Sequence, residues 1–173
     1  VRSLFERGKK DVFRGKSLEN IGMPCGGIGT GQLYLCGDGT LGCWQIFNDA
    51  KSNWVEGTNA TYKHRGIEKP VDQGFAVAVD AGQGAPVLKT LSREGFSDVS
   101  FQGEYPIAIV RYEEPGCPVR VEMEAFSPFI PLNAKDSALP ATVFHITVKN
   151  VSKTAVNASV LSWLENAVCR YTA

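Results

Sequence analysis

With 173 residues, 43% hydrophobic and 21% charged, the chain suits one domain that buries roughly 70% of its unfolded surface, and its composition excludes disorder and fibrous repeats. Lys plus Arg and Asp plus Glu each number 18, so the net charge of zero removes the basic footprint of a general nucleic-acid binder. No apolar run approaches the ~20 residues of a membrane-crossing helix, and five cysteines without a C-x-x-C pair fit neither a zinc ribbon nor a thioredoxin-type motif.

The first sixteen residues carry six basic side chains (Arg2, Arg7, Lys9, Lys10, Arg14, Lys16) against Glu6 and Asp11, and residues 1–21 read as a solvated lead-in. From Gly22 the chain changes character. "GMPCGGIGTGQLYLCGDGTLGCWQIFN" places seven glycines between Gly26 and Gly42 around one apolar run. Its window GDGTLG has the spelling of a dinucleotide-binding loop, which requires a preceding strand and a following helix. A strand at Gln32–Cys36 fits, but "CWQIFNDA" continues as a second strand, Leu41–Phe47, and Asp38-Gly39 is a hairpin signal. Gly37 and Gly39 are therefore assigned to a turn. Gly26, Gly27, Gly29 and Gly31 are assigned to places where the backbone bends or passes close to a neighbour.

Asn48 to Gln73 is a polar connection longer than the ~12–15 residues beyond which loops tend to be functional or disordered. It carries Trp54, Tyr62 and His64, a set able to stack on sugar rings, and Trp54 serves equally well as an anchor for its own loop. Beyond it, short alternating runs predict strands at Gly74–Asp80, Val87–Leu91, Val99–Gln102, Pro106–Glu113, Val119–Phe126, Ala141–Lys149 and Ala155–Leu164. In "VRVEMEAF", Val119, Val121, Met123 and Ala125 face one way and Arg120, Glu122 and Glu124 the other. The links are too short for parallel crossovers, so the expected fold is all-β, an antiparallel two-sheet sandwich.

Catalytic constellations are weak. His145 sits on an alternating strand, where a surface or cross-strand role is expected, which leaves His64 as the better site candidate of the two histidines. Glu122 and Glu124 share a face at about 7 Å, within glycosidase range, yet they project from the polar side as solvated charges.

The stretch Ile21–Asn48 resembles the opening of the N-terminal domain of glycoside hydrolase family 116, which holds the non-lysosomal glucosylceramidase and bacterial β-glucosidases and β-xylosidases. "VDQGFAV", "EYPIAIVRYE", "PVRVEMEAFSPFIPLNAKDSALPATVFHITVKN" and "SWLEN" extend the similarity in order along nearly the whole chain. The resemblance implies a β-sandwich packed on a C-terminal α/α toroid that hydrolyses β-glucosides or glucosylceramide-like substrates with retention. The family's nucleophilic Glu and acid/base Asp lie on the toroid, so no residue here inherits a catalytic role. No metal or cofactor is implied. Residues 22–173 are then expected to be the first part of that sandwich, with Trp44 and Asn48 nearest the sugar. The departures are Cys25 and Cys36, standing where an apolar residue and a glycine are expected. A different reading is a free-standing carbohydrate-binding module that uses the aromatic loop.

Overall fold

The computed structural model describes residues 8–44, 71–82, 84–166 and 168. The chain forms β1 (Phe13–Arg14), a 3-10 turn (Gly15–Glu19), β2 (Gly22–Gly26), β3 (Gln32–Cys36), β4 (Leu41–Gly42), β5 (Gln73–Asp80) and β6 (Val87–Thr90). It continues through β7 (Asp98–Glu104), β8 (Ile107–Glu113), β9 (Val119–Phe126), one helical turn α1 (Ala134–Ser137), β10 (Val143–Asn150) and β11 (Asn157–Leu164). Every strand pair is antiparallel. The fold is the expected all-β sandwich.

A five-stranded sheet in the order β1-β7-β8-β9-β10 lies against a three-stranded sheet, β11-β5-β6. Alternation decides what lies between them. Val119, Val121, Met123 and Ala125 of β9 are fully buried beside Ala108, Val110 and Tyr112 of β8. Across the sandwich, Val77 and Val79 of β5 join the same core, and the Phe75 and Phe144 rings meet at 5.0 Å between centroids. Phe96 tilts against Tyr112 at 5.6 Å. A third sheet, β2-β3-β4, adds Met23, Cys25, Leu33, Leu35 and Leu41 to this core.

The polar face of β9 is used for pairing. Arg111 Nε lies 2.6 Å from Glu122, Arg120 2.9 Å from Glu113, and His145 Nδ1 2.9 Å from Glu124. Glu124 and His145 are register partners, which gives His145 the expected cross-strand role. Lys89, its side chain 19% exposed, joins the second sheet to the β8–β9 turn by pairing with Glu114, donating to the Gly95 carbonyl at 2.8 Å and sitting over the Phe96 ring at 5.1 Å.

Strand β2 was not expected, because its sequence GMPCG contains two glycines and a proline. It forms at the edge of its sheet, where Pro24 needs no donor on the open side. The expected strand Leu41–Phe47 ends at Gly42 within the described residues, as Cys43 turns to a φ of +51°. Within the first 21 residues, Phe13 pairs with Phe101 of β7 and Leu18 is buried.

Candidate functional site

The β3–β4 turn supports one side of the site. Thr40 donates to Asp38 Oδ1 through its amide at 3.0 Å and its hydroxyl at 2.6 Å, and the Gly39 amide donates to the Cys36 carbonyl at 2.9 Å. Gly39 has a φ of +86°, and a Cβ there would overlap the Tyr112 hydroxyl. Burial pushes the Tyr112 phenol well above its usual range, and the nearby Asp38 charge adds to the shift. Gly37 is equally closed: a Cβ would stand 2.5 Å from Ile21 Cγ2.

The glycines of the second group shape the approach. Gly26, Gly29 and Gly31 have positive φ. A Cβ on Gly27 would overlap both the Thr30 hydroxyl and the Leu139 carbonyl oxygen. The Gly26 amide donates to Ser127 Oγ at 3.0 Å, and the Ile28 amide to the Ser137 carbonyl at 2.9 Å, so this loop is tied to the segment that carries α1. Asn133 caps that single turn by accepting from the Asp136 amide at 3.1 Å.

Where β2, β3 and β4 approach β5, β10 and β11, a cleft of about 430 Å³ opens. Trp44, Phe75, Phe144 and Trp163 give it an aromatic lining, and Gln32 and Gln73 supply amides. Trp44 is 7% exposed, and its indole Nε1 is buried with no hydrogen-bond partner among the described residues. Gly26 and Gly31 stand in the same wall.

Among the described residues no Asp, Glu, His, Lys or Arg lines the cleft, and the Cys25 thiol in its wall is pushed up to about 11 by burial. Amides and hydroxyls there can donate and accept hydrogen bonds, but none of them can act as the acid/base pair that glycoside hydrolysis needs. Among the described residues no group of His, Cys, Asp or Glu is placed to hold a metal ion.

Of the candidate substrate-binding residues, only Trp44 falls in the described part of the chain; Asn48, Trp54, Tyr62 and His64 lie outside it. Gln32, Gln73, Thr142 and Trp163 are cleft residues that the sequence reading missed. They come from four segments that only the fold brings together.

Fold and cleft define the class first: an all-β sandwich domain with a cleft lined, among the described residues, by aromatic and uncharged side chains. The family model described as beta-glucosidase 2, glycosyl-hydrolase family 116 N-term, matches residues 22–172. The chain belongs to that family and represents its N-terminal domain. No curated protein matches the chain.

Proposed function

We propose that this domain packs on the catalytic domain of a β-glucosidase-type glycoside hydrolase and shapes the rim of its substrate cleft. The observation that carries this reading is a set of exposed apolar side chains on the strand and loops that border the cleft, with Leu164 in its lining. Val160, Leu161 and Leu164 of β11 are 47%, 42% and 66% exposed. Among the described residues their strand lies at the edge of its sheet, where an open side invites a covering partner. Ile28 and Leu139, 51% and 52% exposed, belong to the two loops joined at Gly27. Such a concentration of apolar side chains around a concave site is characteristic of a face covered by a partner.

On this reading the α/α toroid supplies the nucleophile and the acid/base, and this domain supplies shape and neutral hydrogen-bonding groups. Trp44 stands nearest the sugar, its rigid indole held by the β3–β4 sheet. The substrate is a β-glucoside or a glucosylceramide-like lipid glycoside.

Calorimetric titration of this chain with a separately produced family 116 catalytic domain tests the reading. Saturable binding is expected, weakened about tenfold or more by Leu164→Asp, since a charge at a buried apolar contact costs at least 1.4 kcal/mol. Absence of binding, or binding indifferent to Leu164→Asp and Val160→Asp together, contradicts it.

A further inference from the structure

A second concavity, of about 360 Å³, lies beyond Trp163 between the β3–β4 turn and the turn after β6. Trp163 borders both cavities. It is 41% exposed, an unusual position for a side chain whose apolar area favours burial. Its orientation is nevertheless fixed. The indole Nε1 donates to Asp72 Oδ1 at 3.0 Å. Asp72 is itself held by Glu165, whose amide donates to the Asp72 carbonyl at 2.7 Å and whose Oε2 accepts from the Asp72 amide at 2.9 Å. The benzenoid edge rests on Gly74, where a Cβ would stand 2.7 Å from Cη2. Gly74 is the register partner of Trp163, so the missing side chain lets the ring lie against the strand.

Around this ring the wall mixes Phe75 and Leu91 with polar side chains. Gln73, Arg93, Glu94 and Thr40 line the same cavity. Arg93 is anchored by Glu19 at 3.2 Å, and the turn is shaped by Ser92, whose hydroxyl accepts from the Glu94 amide at 3.2 Å. A rigid aromatic plate with guanidinium, carboxylate, amide and hydroxyl groups at its rim matches one ligand chemistry in particular. A pyranose presents an apolar C–H face and an equatorial belt of hydroxyls that both donate and accept. The volume is above the ~300 Å³ at which small-molecule sites ordinarily begin. Among the described residues, Asp38 and Glu94 beside Arg93 leave the cavity without a positive excess, which disfavours an anionic ligand.

We propose that Trp163 and the Gln73–Arg93–Glu94 rim form a binding subsite for one neutral pyranose ring, stacked on the indole. The subsite uses only residues of this chain, so it is tested without a catalytic domain. Binding is weak by design, since a shallow site that holds one sugar pays most of its gain to immobilisation.

The test is a titration of the complete 15N-labelled chain with methyl β-D-glucopyranoside, reading the indole N–H resonances, with Trp163 assigned from the Trp163→Phe spectrum. The expected result is a saturable shift of the Trp163 resonance with a Kd of about 1–10 mM. Read through the Gly74 and Glu94 backbone amides, which line the same cavity, Trp163→Ala weakens binding at least tenfold and Arg93→Ala about threefold, while far-UV circular dichroism verifies both folds. Should Trp163→Ala lose its fold, Arg93→Ala decides: unchanged affinity overturns the proposal. So does the absence of a saturable shift up to about 100 mM sugar, or binding that shifts only other indoles, which places the sugar elsewhere on the chain.

Discussion

The Tyr112 hydroxyl donates to the main-chain oxygen of Asp38 at 3.3 Å, tying the central strand of the five-stranded sheet to the tip of a hairpin 74 residues away. The contact depends on Gly39, which leaves the phenol the space that a Cβ would fill. Gly39→Ala therefore combines a positive φ with a steric clash and is expected to cost about 3 kcal/mol or more. Gly29→Ala, also at positive φ (+71°) but in open space, should cost only about 1 kcal/mol. Urea denaturation of the two variants measures the difference; equal costs would remove the clash from the explanation.

Alkaline pH should weaken the fold. Cys25 and Tyr112 both release their protons at higher pH in the folded chain than in the unfolded one. Their contribution is complete below the unfolded thiol value of 9.0 and falls as pH rises toward about 11 for Cys25, because the unfolded chain ionises first. The thiol alone accounts for about 2–3 kcal/mol across that window. Denaturant midpoints between pH 8 and 11 measure the decline, and Cys25→Ala, compared with its own value at pH 8, should flatten it.

Lys89 bridges the two facing sheets through Glu114, the Gly95 carbonyl and the Phe96 ring. Lys89→Met keeps most of the stem and removes the charge, leaving Glu114 half-buried without its partner. The expected loss is about 1–2 kcal/mol, less than for a fully buried pair because solvent reaches both ends. A double-mutant cycle with Glu114→Gln measures the coupling, and a value near zero would assign Lys89 a packing role only.

Purified alone, the chain should not turn over an aryl β-glucoside. Glu122 and Glu124, which share the polar face of β9, are engaged by Arg111 and His145, and no described carboxylate lines the cleft. Chromogenic assay at high protein concentration checks this, with Glu122→Gln and Glu124→Gln as controls against a contaminating hydrolase.

The sequence was most informative where one strand has one wet face. Alternation in VRVEMEAF and the Asp-Gly turn after Cys36 locate β9 and the β3–β4 hairpin at their observed positions. It was least informative where long-range pairing overrides local preference. Phe13–Arg14 is too short to carry a period, and the composition of GMPCG reads as loop until Tyr34 and Leu33 stand opposite Pro24 and Cys25. The single turn Ala134–Ser137 likewise falls below any helical repeat. Trp44, singled out through the family resemblance of its segment, lines the cleft. Trp163 was not legible, because its partner Asp72 lies 91 residues away and no local pattern announces it.

The most direct test of the proposed docking is hydrogen exchange of this chain with and without a family 116 catalytic domain. Docking should slow exchange in β11 and in the loop from Gly26 to Gly31 and leave the β8–β9 turn unchanged. Protection confined to that turn, or no protection at all at saturating partner, would contradict it.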